Sequence, residues 1–315
     1  MEIHIIHFKE TLLELEIVAD GLAFPEGPIA MADGSILLVE IKGARLTRIA
    51  SDGTKTVVAE TGGGPNGAAI GPDGAVYIAN NGGLGFIDHK GLTFPSPGLP
   101  PQYVGGSIQR VGMASGVVTT LYDHCDGAPL IAPNDLVFDR DGGFWFTDHG
   151  CETDDGRRFG ALYYARFDGT HITCRRSKLI APNGVGLSPD ETTLYVADTL
   201  MGRLWALDVN GPGNLKSAGT AYPRRPLFTM PDHRGFDSLA VERDGRVCVG
   251  TLIEGGISVI GLDGSLEWIP IPDIGTTNIC FGGADMRDVW ITGSTTGRLF
   301  KARWPRPGLI LNFAC

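Results

Sequence analysis

The fold of this chain is decided by a short stretch, residues 183–197, which reads NGVGLSPDETTLYVA. In it, Asn183 comes seven residues before Asp190, and this turn aspartate is followed by a hydrophobic strand. The same arrangement of an oxygen-bearing side chain, a turn aspartate and a strand occurs six times. The pairs are Glu26 with Asp33, Asn66 with Asp73, Asn134 with Asp141, Asn183 with Asp190, Asp237 with Asp244, and Asn278 with Asp285. A unit that recurs along the whole chain predicts a repeat architecture.

The spacing of the repeats predicts which architecture it is. Four of the five intervals between successive turn aspartates are 40 to 54 residues long, and the remaining interval is 68 residues long. A spacing of this kind is typical of propeller blades. Short strands separated by Asp-Gly and Pro-Asp turns, without a long stretch of helical periodicity, indicate an all-β protein. We therefore predict a six-bladed β-propeller with four strands in each blade, a single domain over residues 1–315. An N-terminal strand near Leu13 to Val18 is expected to pair with the last blade and close the ring.

Composition and charge exclude several classes of protein. The net charge of -10 argues against nucleic acid as a partner, because phosphate binding needs clustered lysine and arginine. No stretch is apolar enough to span a bilayer, and residues 1–7 lack the basic and hydrophobic regions of a secretion signal. We therefore expect no membrane partner and a cytoplasmic location. The six cysteines are scattered without a Cys-x-x-Cys pair, which indicates neither a zinc knuckle nor a disulfide framework.

The six repeated positions predict a metal site in the central channel. In a propeller the first strand of each blade lines the channel, so equivalent positions in six blades converge near one mouth. Two carboxylates and four amides there offer only oxygen ligands, which suit a hard divalent cation, calcium first and magnesium or manganese next. The alternative is that these side chains only begin strands and satisfy turn hydrogen bonds. We assign that structural role to the six turn aspartates.

Four motifs carry a resemblance to a known family. They are residues 24–28 (FPEGP), 132–139 (APNDLVFD), 181–190 (APNGVGLSPD) and 277–283 (TNICFGG). These motifs resemble those of the SMP-30/gluconolactonase/LRE-like family, which includes regucalcin, bacterial gluconolactonases, drug-responsive bacterial lactonases and, more distantly, the diisopropylfluorophosphatases. The resemblance extends from about Val18 to Ala302.

The resemblance implies a catalytic divalent metal and a set of residues that hold it. Calcium is the leading expectation, with magnesium, manganese and zinc as alternatives. The ligands implied are Glu26, Asn134, Asn183 and Asp237. In relatives the residue equivalent to Asn134 either binds the metal or contacts the substrate beside it. Asn66 and Asn278 are then expected next to the metal set or facing the substrate.

Two departures from the family pattern bear on the substrate and on the backbone. Sugar-lactone hydrolases of the family often have an arginine two residues before the Asn-Asp pair, where this chain has Ala132. A highly hydroxylated substrate is therefore less expected. The late aspartate is usually followed by glycine, and here Asp237 is followed by Ser238.

The resemblance, together with the oxygen-lined channel, implies a metal-dependent hydrolase that opens a lactone. A cation polarises the ester carbonyl and stabilises the oxyanion that forms when water attacks. Asp237 is the candidate general base, with a role as metal ligand alone as the alternative, and Glu26 is an anionic ligand. Other reactions remain open in such a pocket: phosphotriester hydrolysis, or cyclisation or isomerisation of a metabolite. A non-catalytic calcium-binding propeller is a further alternative. In every enzymatic case the partner is a small molecule, and the oligomeric state is left open.

Two long loops are expected to select the substrate. Residues 80–105 and 148–159 connect the second and third strands of blades 2 and 3, at the predicted metal side. Phe86 and Tyr103 are candidates for an apolar wall, and the proline-rich run 94–101 for a stiff lid. His149 is a candidate to contact the substrate and to transfer a proton, or it is a loop histidine that hydrogen-bonds its neighbours.

Overall fold

The structure is a computed structural model that describes residues 9–216 and 226–314. The two ends of the predicted domain, residues 1–8 and residue 315, lie outside the described residues. Within these ranges the chain forms strands, turns and loops, and no helix. None of the described residues therefore belongs to a helix long and apolar enough to cross a membrane.

Six four-stranded antiparallel blades follow one another along the chain. Blade 1 consists of Pro25–Ala30, Ile36–Glu40, Arg45–Ile49 and Lys55–Glu60. Blade 2 consists of Pro65–Ile70, Val76–Asn80, Ser107–Val111 and Val118–Tyr122, and blade 3 of Pro133–Phe138, Gly143–Asp148, Gly160–Arg166 and Ile172–Leu179. Blade 4 consists of Pro182–Leu187, Thr193–Asp198, Arg203–Asp208 and Phe228–Thr229, and blade 5 of Phe236–Val241, Val247–Thr251, Gly256–Ile260 and Leu266–Pro270. Blade 6 consists of Thr276–Gly282, Asp288–Gly293, Arg298–Arg303 and the N-terminal strand Glu16–Ala19.

The ring closes as the sequence predicts. The N-terminal strand Glu16–Ala19 pairs antiparallel with Arg298–Arg303, so the outer strand of blade 6 comes from the other end of the chain. The first strands contact each other in ring order, and that of blade 6 packs against that of blade 1. The predicted all-β, six-bladed propeller is confirmed. An additional short strand, Lys9–Glu10, lies parallel to the outer strand of blade 5.

The turn aspartates act locally, as expected of Asx turns. In five repeats the aspartate accepts a hydrogen bond from the backbone N–H two residues later, for example from Ser35 to Asp33 at 3.0 Å. Blade 3 differs, because Asp139 takes this role and accepts hydrogen bonds from the N–H groups of Asp141 and Gly143. A carboxylate that holds a turn closed explains why the same residue type recurs between first and second strands.

The core lies between neighbouring blades. The second strands carry fully buried hydrophobic side chains because both faces of each sheet are covered by the adjacent blades. Between blades 2 and 3, the ring of Tyr77 packs against Phe138 and Phe144, with centroids 5.0 and 6.0 Å apart. This packing holds the first strands close together around the channel.

The two faces of the propeller are closed to different degrees. The register pairs Pro25 with Glu40, so the second-to-third strand loops and the connections between blades lie at the face where first strands begin. The C-terminal segment covers the opposite face, where the N–H of Leu309 donates to Val241 O at 2.9 Å and Asn312 Nδ2 donates to Phe138 O at 3.1 Å. The channel is therefore capped at one end, and ligands enter from the other.

Candidate active site in the central channel

All six repeated positions lie at an irregularity of the strand pairing. In every blade the register between first and second strands shifts at or next to the oxygen-bearing residue. A bulge of this kind bends the strand and changes the direction of a side chain, and bulges are frequent beside active sites. The six bulges lie at equivalent positions of the six first strands, at one level of the channel.

A cavity of about 500 Å³ opens at this level of the channel. This volume falls within the range of small-molecule sites. Five of the six repeated residues line it: Glu26, Asn66, Asn134, Asn183 and Asp237. The four implied metal ligands thus lie in one cavity.

Asn278, the sixth repeated residue, lies behind the others. Its Nδ2 donates a hydrogen bond to Glu26 Oε2 at 2.8 Å, and the N–H of Gly27 donates to the same oxygen at 2.6 Å. Asn278 is not among the residues that line the cavity. It therefore orients the carboxylate of Glu26 from the side away from the ligand space.

The amide oxygens in the cavity are poorly satisfied by the protein. Asn134 is buried, and its Oδ1 has no hydrogen-bond partner. The Oδ1 of Asn183 accepts a hydrogen bond of 3.4 Å from the hydroxyl of Ser238, the residue that replaces the usual glycine of the family. A buried carbonyl oxygen without a partner is costly unless another group, such as a cation, binds it.

The two carboxylates in the cavity, Glu26 and Asp237, have raised pKa values. Burial raises the pKa of Asp237 well above its ordinary value, and the charge of Glu26 raises it further. Burial also raises the pKa of Glu26, against hydrogen bonds from Asn278 and Gly27 that lower it. A cation bound by the two desolvated carboxylates, the unpartnered Oδ1 of Asn134 and the weakly bonded Oδ1 of Asn183 would relieve both costs, so these residues fit a hard divalent metal. Within residues 9–216 and 226–314 there is no cluster of three or more His, Cys, Asp or Glu side chains suited to a metal, so this set depends on its amides.

Asp135 is a third acid in the channel, besides Glu26 and Asp237, and it was not among the site residues predicted from the sequence. Burial and the charge of Glu26 raise its pKa to about 8. Its carboxylate accepts hydrogen bonds from the N–H of Leu136 at 2.8 Å and from the N–H of Val185 in blade 4 at 3.2 Å. It lines the capped part of the channel below the cavity, and its only sequence signal is the Asn-Asp dipeptide.

A second set of repeated polar residues holds the backbone next to the channel residues. The second strands of blades 1 to 4 end in an acid or amide, at Glu40, Asn80, Asp148 and Asp198. The carboxylate of Asp148 accepts hydrogen bonds from the N–H groups of Ile131, Ala132 and Gly150 at 2.7 to 3.0 Å. Such contacts fix the chain just before each channel residue. The signal was present in the sequence as an acid or amide that follows four hydrophobic residues in blades 1, 2 and 4, and three hydrophobic residues and a threonine in blade 3.

His149 lines the cavity in the loop that follows Asp148. Its Nδ1 lies 3.2 Å from Nη2 of Arg157, and the same Nη2 donates to the backbone oxygen of His149 at 2.7 Å. Burial lowers the pKa of His149 to about 4, and the positive charge of Arg157 contributes to the shift. The ring is therefore neutral near pH 7. His149 contacts Arg157 and also lines the cavity. The sequence had suggested either a histidine that hydrogen-bonds its neighbours or one that contacts the substrate.

Phe86 and Tyr103 lie one layer behind the cavity wall. The ring of Phe86 packs on Phe24, with centroids 5.2 Å apart, and Phe24 lines the cavity. The hydroxyl of Tyr103 donates to Ile131 O at 2.7 Å and anchors the long loop to blade 3. The structure thus places neither side chain in the lining, which in this loop is formed by Asn81, Leu84, Phe94 and Pro95.

The long loop of blade 2 lies across the mouth of the channel. It forms a hairpin of Phe86–His89 and Leu92–Pro95, whose Asp88 pairs with Lys42 of blade 1 at 2.7 Å. At the far side the N–H of Thr93 donates to Thr295 O of blade 6 at 2.9 Å. The hairpin therefore reaches from blade 1 to blade 6, and Phe94 and Pro95, the first residues of the predicted lid 94–101, line the cavity.

The chain is a six-bladed propeller with an oxygen-lined cavity in its channel, and this combination of fold and site defines a class of propeller proteins. Within that class the chain belongs to the SMP-30/gluconolactonase/LRE-like family, since residues 24–295 match this family. The family resemblance predicted from the motifs is confirmed.

Individual relatives are distant in sequence and similar in fold. A gluconolactonase of Zymomonas mobilis is 25% identical over 299 residues, 85% of this chain and 76% of that protein. A lactonase drp35 of Staphylococcus saprophyticus is 34% identical over 134 residues, 42% of this chain and 39% of that protein. The structure of a gluconolactonase of Xanthomonas campestris has a TM-score of 0.73 and 26% identity, and the match covers 93% of this chain and 90% of that one. The calcium-binding protein regucalcin of Agrobacterium tumefaciens has a TM-score of 0.70 at 18% identity, with 96% and 99% covered, and this likeness concerns the fold alone.

Proposed function

We propose that this protein is a metal-dependent hydrolase that opens a lactone in the cavity of the propeller channel. The observation that carries the proposal is the unpartnered Oδ1 of Asn134 beside the two desolvated carboxylates of Glu26 and Asp237. The relatives named gluconolactonase and lactonase support the reaction class.

The residues proposed to hold the ion are Glu26, Asn134, Asn183 and Asp237. When bound, a divalent cation, calcium first, supplies charge that polarises an ester carbonyl and stabilises an oxyanion. The carboxylate and amide oxygens of these residues support a hard divalent ion, and the identity of the ion is part of the proposal.

We propose different roles for the two carboxylates, Glu26 as a fixed ligand and Asp237 as the general base. Two hydrogen bonds hold Oε2 of Glu26, which suits a fixed anionic ligand. Asp237 lines the open cavity, so its carboxylate is within reach of a water that attacks a bound ester. We assign to Asp237 the acceptance of the proton from the attacking water.

The test uses chelator-stripped protein and a panel of sugar, aliphatic and aromatic lactones, with calcium, magnesium, manganese or zinc restored singly. We expect one or more lactones to be opened only after a metal is restored. Tight metal binding without hydrolysis of any lactone would reject the proposal and favour phosphotriester hydrolysis or an isomerisation. The cytoplasmic location and the absence of nucleic-acid and membrane partners stay predictions from the sequence.

A further inference from the structure

The upper walls of the cavity are apolar on one side. Blades 1, 2 and 5 contribute the large hydrophobic lining side chains Phe24, Ile41, Leu84, Phe94, Leu252 and Ile253. The side formed by blades 3 and 4 is different, because Ala132, His149 and Thr199 accompany the amides there. We call the six hydrophobic side chains the apolar wall, and they share the cavity with the polar residues of the proposed metal set.

The polar side chains near the apolar wall are engaged with the protein. The Oδ1 of Asn81 accepts a hydrogen bond from the N–H of Gly83 at 2.9 Å, and the hydroxyl of Thr295 donates to Asp273. The hydroxyl of Thr277 lies 2.8 Å from that of Thr292. No lysine or arginine is among the described residues that line the cavity. A sugar lactone needs free polar partners for its hydroxyl groups, since an unpaired polar group loses binding energy on burial.

Two residues of the apolar wall have a strained backbone. Phe24 has a φ of 60° and Ile253 a φ of 82°, in the left-handed region that glycine prefers. For the β-branched Ile253 this conformation is unfavourable, yet its side chain remains 53% exposed at the cavity mouth. Little packing within the protein compensates for this cost. Strain that persists beside a ligand cavity is typical of a functional residue.

The apolar character continues around the mouth. Among the loops at this face, six large hydrophobic side chains are more than 40% exposed: Ile87, Val104, Phe159, Leu200, Ile253 and Ile274. Exposed apolar side chains grouped at one face mark sites where an apolar ligand enters. Of these six, Ile253 and Ile274 also line the cavity, so the exposed apolar surface reaches the cavity there.

We propose that the substrate is a lactone that carries a large apolar substituent, an alkyl chain of several carbons, which lies along Phe94, Leu252 and Ile253. The inference rests on the proposed lactonase function and specifies its substrate class. Sugar lactones, whose rings carry hydroxyl groups in place of the chain, fit the apolar wall poorly.

The first experiment compares δ-lactones with the same ring and a different substituent: δ-valerolactone without a chain, δ-nonalactone with a butyl group, δ-dodecalactone with a heptyl group, and glucono-δ-lactone. We expect kcat/KM to rise with chain length, by up to about fourfold per methylene group, which corresponds to about 0.8 kcal/mol. Equal values along the series, or a preference for the sugar lactone, would overturn the inference and leave the lactonase proposal standing.

A binding measurement separates the two proposals. Alkyl-substituted δ-lactams are analogues with a stable ring, and calorimetry measures their affinity in the presence of chelator. Affinity that increases with chain length supports the apolar substrate even if no lactone is opened, and in that case only the reaction class fails. Affinity that is independent of chain length rejects the apolar substrate directly.

Ile253→Gly tests the wall and the strain together. We expect the ratio of kcat/KM for the heptyl and unsubstituted lactones to fall about tenfold, because an apolar contact is lost. The melting temperature should not fall, since glycine accepts the left-handed backbone without strain. The matched control is Leu262→Gly, which removes a side chain 59% exposed in a turn at the opposite face, and should leave the ratio unchanged. An unchanged ratio in Ile253→Gly would show that Ile253 does not contact the substituent.

Discussion

The guanidinium of Arg157 holds the imidazole of His149 in one tautomer. Nη2 of Arg157 lies 3.2 Å from Nδ1 of His149, and a guanidinium can only donate hydrogen bonds. Nδ1 is therefore the acceptor, and the proton of the neutral ring is on Nε2. With a pKa lowered to about 4 by burial and by Arg157, His149 is suited to donate a hydrogen bond and not to transfer a proton at neutral pH.

The pH dependence of catalysis tests this assignment. We expect no inflection in the profile of kcat/KM between pH 5.5 and 7.5 that depends on His149, and we expect His149→Phe to lower kcat/KM about tenfold throughout. Arg157→Met removes the nearby charge, so the pKa of His149 should rise, while burial, the larger cause, should still hold it below its ordinary value. Lactone hydrolysis recorded across the pH range measures both effects. An inflection in the unmodified protein that His149→Phe abolishes would contradict the assignment.

Asp237→Asn separates catalysis from folding. The amide keeps the shape of the side chain and can no longer accept the proton from water, so we expect turnover to fall by at least about a thousandfold. Removal of a desolvated carboxyl should leave the melting temperature of chelated protein unchanged or raise it. Steady-state hydrolysis and calorimetry measure the two quantities. Full activity in this variant would show that the chemistry occurs elsewhere.

Glu26→Gln tests the metal set by a different route. The amide has no charge and is held by the same neighbours, so we expect a metal affinity weaker by about tenfold or more and a loss of activity that excess metal partly reverses. Asn278→Ala should give a milder form of the same defect, because it removes one of the two hydrogen bonds to Oε2 of Glu26 without removing its charge. Direct calorimetric titration of stripped protein with calcium measures the affinity. Equal affinity in Glu26→Gln would exclude Glu26 as a ligand.

The stability of the metal-free protein depends on the channel acids. The pKa values of Glu26, Asp237 and Asp135 are raised by burial, to about 8 for Asp135, so in chelator the folded protein binds protons that the unfolded chain releases. The stability that these protons provide is present at low pH and is lost as the pH rises through the raised pKa values. A cation that replaces the protons on Glu26 and Asp237 should therefore raise the melting temperature more at pH 8 than at pH 5.5.

Thermal unfolding in chelator and in calcium, at several pH values, measures this difference. The matched control is Asp285→Asn, a turn residue at the opposite end of its strand, which should keep the full response to calcium. A melting temperature that calcium does not change at any pH would exclude a stabilising ion at these carboxylates.

The propeller could be predicted because its signals are local. A strand has a period of two residues and a turn needs particular residue types, so the six repeats specify the blades without knowledge of distant contacts. The repeat also predicted that the oxygen-bearing residues lie around one axis, because equivalent residues of six blades meet there. Five of them line one cavity: Glu26, Asn66, Asn134, Asn183 and Asp237.

The direction of individual side chains depends on contacts between distant parts of the chain. Asn278 occupies the same position in its repeat as Glu26, and only the packing of blade 6 against blade 1 turns it to hold that carboxylate. Phe86 was predicted to form the apolar wall, and the bridge from Thr93 to Thr295 sets the loop so that Phe24 and Phe94 line the cavity instead.

The sequence by itself therefore determined the family, the six blades and the level of the channel at which the oxygen ligands lie, because these follow from a pattern repeated within each blade. The tertiary structure decided which side chains face the ligand, that Arg157 sets the tautomer of His149, and that one wall is apolar. These depend on loops of different blades brought together at the mouth, where no periodic pattern constrains the chain.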